Sequence, residues 1–220
     1  GHVAANYLTH TELEPPFLAL VVSGGHTSFF DVKSYTELEE IASTRDDAAG
    51  EAFDKVGRVI GMPYPGGAAL DKLAYEGDPR AIKLPSPALG KDTLDFSFSG
   101  IKTAALNYLN GLSQRGEEIP RANLAASYTE KIVSAIVAKA EKALDAEGTK
   151  TLVLAGGVAA NSHLRRALEE MCARRGVTLY APPISLCGDN AAMIAAAGYY
   201  EYKKGNLADT SLNASALDEG

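Results

Sequence analysis

Only two cysteines, Cys172 and Cys187, occur in 220 residues. They are too few for a disulfide framework and lack a zinc spacing, so the chain reads as one that keeps its thiols reduced. No apolar run approaches the roughly 20 residues that a membrane-spanning helix needs. The first residues also lack the pattern of a secretory signal. Both absences point to a cytoplasmic protein with no membrane contact. Excess positive charge is missing too. The net charge of −7 argues against a generally basic nucleic-acid binder while leaving room for a local basic face. Lys72, Lys102, Arg165, Arg166, Arg174 and Arg175 are the residues that could build one, with solvated helix faces as the plainer fate. No His-Glu-x-x-His string exists, so a helix-borne peptidase site is disfavoured, and no Ser–His–Asp or Cys–His set can be picked out.

What the chain does have is organised around Phe17–Phe30. Two apolar runs rich in β-branched and aromatic residues flank Ser23-Gly24-Gly25-His26-Thr27, which predicts a hairpin. Paired glycines let a ligand approach the backbone, and successive N–H groups in such a turn suit phosphate. Ser23 and Thr27 add hydroxyls, and an ordinary hairpin turn is the alternative. The sequence Thr151–Asn161 repeats this grammar: a buried strand, then the pair Gly156-Gly157. A helix over 162–175 and a strand over 177–181 follow, which predicts a parallel strand–helix–strand unit with ligands off the strands' carboxyl ends. There Asn161 either contacts a ligand or caps the next helix.

Between these stretches the spacing predicts a helix over 46–61 with Ala49, Phe53, Val56 and Ile60 on one face, capped by Asp46 or Asp47. Asp54 lies beside that face, either aimed into a neighbouring cleft or simply exposed. Pro65-Gly66-Gly67 precedes a second helix, over 68–75, offering N–H groups to an anion. Asp71, placed in its first turn, either bonds a sugar hydroxyl or complements the helix dipole. A connector over 76–96 leads to a short helix ending at Leu109, with Ser97 or Ser99 as cap, then to a polar loop over 110–119. A long helix spans 120–148. A last helix opens at Asp189, which is either its N-cap or a metal ligand. Residues 205–220 read as a frayed tail. The abrupt, uncapped start at Gly1 reads as the tail of a helix, with an N-terminal portion missing.

Six motifs in order resemble one family: Val21-Val-Ser-Gly-Gly-His-Thr27, Asp46-Asp-Ala-Ala-Gly-Glu-Ala-Phe-Asp-Lys55, Tyr64-Pro-Gly-Gly67, Asp95-Phe-Ser-Phe-Ser-Gly-Ile-Lys-Thr103, Ala155-Gly-Gly-Val-Ala-Ala-Asn161 and Gly188-Asp-Asn-Ala-Ala-Met-Ile-Ala195. The chain is similar through about residue 204 to the TsaD/Gcp/YgjD family of tRNA threonylcarbamoyladenosine synthases, once labelled O-sialoglycoprotein endopeptidases. The resemblance implies an α/β fold of the actin/Hsp70/sugar-kinase (ribonuclease-H-like) kind. Residues 1–16 would be a remnant of a largely missing first subdomain. Residues 17–204 would form the second subdomain, with a helical insertion at about 46–119. It implies transfer of threonylcarbamoyl from threonylcarbamoyl-AMP, itself made from ATP, to an adenosine amine beside the tRNA anticodon.

By the same resemblance, Val21, Val22, Ser23, Gly24 and Gly25 line the phosphate and carbamoyl region. Asp54, Gly67 and Asp71 hold ribose and neighbouring groups, and Asn161 binds the nucleotide. His2 and Asp189 ligate one divalent metal, iron or zinc, with iron(II) as the family's. His2 matches the second histidine of a His-x-x-x-His helix whose first histidine lies before Gly1. Partners implied are tRNA, a TsaB-like paralogue and a TsaE-like ATPase; a homodimer is a separate expectation. The role of His26 stays open between metal ligand, phosphate donor and packed turn residue. Three rivals remain: a small-molecule kinase of the same superfamily, a metallopeptidase and a non-catalytic binding partner.

Overall fold

The computed structural model describes residues 1–87, 89–90 and 93–213. Five strands form one sheet in the order β3-β2-β1-β4-β5. These are β1 (Phe17–Val22), β2 (Thr27–Ser34), β3 (Glu37–Ser43), β4 (Thr151–Ala155) and β5 (Thr178–Tyr180). The first three run as antiparallel neighbours, whereas β1–β4 and β4–β5 pair in parallel. Every residue of β1 is buried, as a central strand covered on both faces requires. Leu18, Leu20 and Val22 face one core with Phe29, Leu152 and Leu154. Phe17, Ala19 and Val21 face a second core with Val153, Val3, Tyr7 and Ala196. The period-two alternation of side chains thus divides the interior into two layers of packing.

The larger core lies under α1 (Ala49–Val59), α2 (Gly66–Ala74), α3 (Ser99–Arg115), α4 (Arg121–Glu147) and α5 (Ser162–Arg175). Phe53, Val56 and Ile60 of the α1 stretch are buried there with Ala49, as their spacing predicts. Gly116, Gly148 and Gly176 end α3, α4 and α5 in the left-handed region that favours glycine. The opposite face is covered by α6 (Ala191–Lys204) and a 3₁₀ turn at Ala4–Leu8. Asn6 of that turn donates to the Leu154 carbonyl at 3.1 Å.

Several boundaries differ from expectation. Strand β3 has no counterpart in the sequence reading, because its outer edge is mostly exposed and offers little apolar alternation. Helix α3 runs on to Arg115, since Leu112 is buried one turn beyond Leu109. Neither Asp46 nor Asp47 caps α1; Ala48 holds that position without a side-chain bond. Asp46 instead accepts from the amides of Phe98 (2.8 Å) and Ser99 (3.1 Å) and from both serine hydroxyls. A carboxylate from a distant loop therefore caps α3, in place of Ser97 or Ser99. The chain start forms a 3₁₀ turn, not the last turn of an α-helix. Residues 205–213 carry no helix or strand, and the rest of the expected tail lies outside the described residues.

Candidate functional site at the carboxyl edge of the sheet

Parallel pairing places the carboxyl ends of β1, β4 and β5 on one edge, where ligands bind in open sheets of this kind. The Ser23-Gly24-Gly25 turn leaves β1, the Gly156-Gly157 bend leaves β4, and the Pro182–Asp189 stretch follows β5. The two glycine bends meet. Gly156 sits at φ 95° and ψ 167°, a region open essentially to glycine alone. A Cβ there would stand 2.3 Å from the Val22 carbonyl oxygen. Helix α1 arrives at the same place. Its Gly50 amide donates to the Ser23 carbonyl at 3.2 Å, and a Cβ on Gly50 would lie 2.5 Å from that oxygen. Gly24, Gly25 and Gly157, by contrast, face open space.

Within the turn, Ser23 Oγ accepts from the amides of Gly25 (3.3 Å) and His26 (3.0 Å). The expected row of free N–H groups is therefore partly filled by the serine's own oxygen. Among the described residues the Gly24 amide keeps no protein acceptor, and the Ser23 hydroxyl proton is available as a donor. Val22 is fully buried on the helix side, so its expected part in the site is limited to its main chain. Val21 lies on the opposite face, the one that carries the 3₁₀ turn and α6. Thr27, far from presenting a free hydroxyl, is buried and accepts from the Ala49 amide at 2.9 Å.

Three other expected ligand groups are already engaged. Asp54 Oδ1 accepts from the Gly67 amide at 3.1 Å, tying α1 to the start of α2. Asp71 is not in a first turn but midway along α2, and it is buried. Its oxygens accept from Ser162 N (3.0 Å), Ser162 Oγ (2.8 Å) and His163 N (3.4 Å), and one meets His163 Nδ1 at 2.7 Å. Asp71 therefore complements the dipole of α5, not of its own helix. Serine and histidine both point at the carboxylate, so this is not a nucleophile arrangement. Asn161 takes the capping alternative, accepting from Leu164 N at 2.8 Å. Its amide nitrogen has no partner among the described residues.

At the far side of the edge, His2 Nε2 lies 3.3 Å from Asp189 Oδ1. Asp189 does not cap α6; Asn190 does, accepting from Met193 N at 2.9 Å. That frees the Asp189 side chain, which is 92% exposed. His2 Nδ1 is buried without a partner. Burial disfavours the charged imidazole most and Asp189 opposes this; the net result is a His2 pKa below its ordinary value. A neutral imidazole facing a carboxylate is the donor set a divalent cation takes. No group of three or more such ligands exists among the described residues, so the pair would fill part of a coordination shell.

Of the six cationic side chains named for a nucleic-acid face, most are engaged. Lys102 pairs with Asp47 at 2.5 Å, Arg174 with Glu141 at 3.4 Å, and Arg175 with Asp145. Arg166 lies over the Tyr75 ring at 5.8 Å, and Arg165 bonds main-chain carbonyls. A groove of about 470 Å³ between α4 and α5, floored by Val133, Val137 and Ala167, is lined by none of the bend residues.

The TsaD family model, described as tRNA N6-adenosine threonylcarbamoyltransferase, matches residues 1–196. Curated proteins of that name are similar over 97% of this chain: one from Clostridium botulinum strain 657 at 51% identity and one from Clostridioides difficile strain 630 at 49%. The chain spans 63% of the length of each of these relatives. Among solved structures, full-length HypF in its phosphate- and nucleotide-bound form matches with a TM-score of 0.66 at 15% identity, over 92% of this chain and 35% of that one. The (R)-2-hydroxyglutaryl-CoA dehydratase component A of Acidaminococcus fermentans matches with a TM-score of 0.52 at 16% identity, over 93% and 68%. At such identities the likeness is one of fold, the actin/Hsp70/sugar-kinase-like α/β fold.

Proposed function

Because this chain belongs to the TsaD family of tRNA N6-adenosine threonylcarbamoyltransferases, we propose that the whole protein carries out that transfer and that this chain supplies the nucleotide half of the site. The observation that carries the reading is the meeting of two glycine bends at one sheet edge that also bears the His2–Asp189 pair. In the reaction the exocyclic amine of a tRNA adenosine attacks the carbamoyl carbon of threonylcarbamoyl-AMP. An N–C bond forms, the C–O bond to phosphate breaks, AMP leaves with the electron pair, and the amine gives up a proton. The free Gly24 amide and the Ser23 hydroxyl are placed to receive the phosphate, and a donor aimed at developing charge lowers the barrier. Open space over Gly24, Gly25 and Gly157 lets the anhydride lie against the backbone. The Asn161 amide is left to donate to the nucleoside. Asp54 and Asp71 act one step back, setting the first turns of α2 and α5.

His2 and Asp189 would hold a divalent metal, iron or zinc, whose Lewis acidity polarises a carbonyl. The attacking amine belongs to the tRNA, so orientation carries much of the rate. A TsaB-like paralogue, a TsaE-like ATPase and a cytoplasmic setting complete the proposal. A kinase of the same fold would need a free carboxylate base, and Asp54, the carboxylate expected beside the cleft, is bonded to Gly67 N.

The test is nucleoside analysis after incubating the full-length protein with tRNA, threonine, bicarbonate, ATP, the adenylate-forming enzyme and the two partner proteins. Threonylcarbamoyladenosine is expected, with Asp189→Ala reducing its rate at least ~100-fold. An unchanged rate in Asp189→Ala would remove the metal pair from the reading, and hexose-dependent release of ADP would favour the kinase.

A further inference from the structure

We propose that Arg165 is a positioning residue that locks the glycine bend after β4 to the stretch that presents Asp189; the inference rests on the site reading above. Its guanidinium is half-buried and turned toward main-chain carbonyls. From the first turns of α5, Nε donates to the Ala159 carbonyl, at the end of the bend. Nη2 donates to the Pro182 carbonyl at 2.5 Å and reaches Cys187 Sγ at 3.2 Å. Among the described residues no carboxylate pairs with it. One planar fork therefore joins two loops that share no strand, a geometry lysine cannot copy with a single ammonium.

Each loop is otherwise closed upon itself. The bend is held by Ala159 N to Gly156 O and Asn161 N to Val158 O, both at 2.9 Å. The second loop is held by Asn190 Nδ2 to the Gly188 (2.9 Å) and Leu186 (3.4 Å) carbonyls. Asp189 lies inside that second closure, two residues from Cys187, which is itself buried. Gly156, at the other end, is pressed on Val22. Arg165 is thus the side chain through which a shift of the phosphate bend reaches the carboxylate that faces His2. Removing it leaves two loops free to move independently, frees the Ala159 carbonyl and leaves the Pro182 carbonyl only the Cys187 thiol, at 3.9 Å.

Hydrogen–deuterium exchange of the chain tests this without reference to catalysis. In Arg165→Lys, amide exchange over 157–161 and 186–190 is expected to rise in both segments together, while α4 keeps wild-type protection. In the same variant cobalt(II), used as the metal probe, binds about 10-fold more weakly, the usual effect of losing an outer-shell support. Cys187→Ala, a milder change that removes the sulfur's contacts with Arg165 and with the Pro182 and Pro183 carbonyls, keeps the Arg165 bonds to Ala159 and Pro182 and is expected to loosen 186–190 more than 157–161. Faster exchange in one segment only in Arg165→Lys, in neither, or across the whole chain would overturn the proposal. Should the full-length wild type make no threonylcarbamoyladenosine while both segments still loosen together, the functional reading fails and the coupling stands.

Discussion

At the scale of single residues, the site depends on positions where no side chain fits. Gly156 combines a backbone conformation closed to other residues with a carbonyl oxygen where a Cβ would stand. Gly156→Ala is expected to cost ~3 kcal/mol or more, combining backbone strain with the clash. Urea denaturation reads the loss as a lowered midpoint. Alanine at Gly157, which faces open space, is expected to leave that midpoint within ~0.5 kcal/mol. The cysteines offer a second check. Burial pushes the Cys172 thiol up to about 11, with Arg175 pulling weakly the other way. At pH 8 the native chain should therefore react at Cys172 with iodoacetamide far more slowly than the urea-unfolded chain. Equal rates in the two states would contradict the buried, protonated thiol.

Elements carry the next lesson, because loop residues here hold helices they do not belong to. Asp46 caps α3 and Asp47 pairs with Lys102 of α3 and with Lys55 of α1. Asp95 accepts from Ser43 N at 3.1 Å and pairs with Arg45. Burial opposes ionisation of all three; hydrogen bonds and neighbouring cations outweigh it and hold each carboxyl below its ordinary range. The folded form thus takes up protons less readily than the unfolded one. The stabilisation is complete above the ordinary carboxylate pKa near 4 and is lost as pH falls through the lowered native values. Acid is expected to loosen α3 first, so exchange over 99–115 should rise at pH 3 before that over α4. Asp46→Ala should reproduce this at pH 7, at a cost of about 1–2 kcal/mol in urea titrations.

The sequence made the helices of the large core legible through periodicity: Phe53, Val56 and Ile132 fall where their spacing puts them. It did not reveal partners distant along the chain. Asp46 reads as a local cap because its true acceptor role lies across a loop, with Phe98 and Ser99. Asp71 reads as serving its own helix for the same reason. Gly50 carried one usable signal, a glycine inside a helical pattern, which commonly marks close packing.

For the whole molecule, the decisive feature is a sheet whose parallel strands all end on one side. That topology brings the Ser23 turn and the Gly156 bend to one edge, as the two strand–glycine–glycine phrases predict. What remained illegible was Arg165, named among cations for a nucleic-acid face and found half-buried on main-chain carbonyls. Arginines on a helix read as solvated, and only tertiary placement shows which one carbonyls surround. His2 and Asp189 lie far apart in the sequence, with the hairpin and the long helix between them. During synthesis the hairpin and long helix can therefore leave the ribosome and pack well before the His2–Asp189 pair exists. A nascent chain halted just short of residue 189 would hold a nearly finished sheet and lack one of the two groups that face each other across its edge.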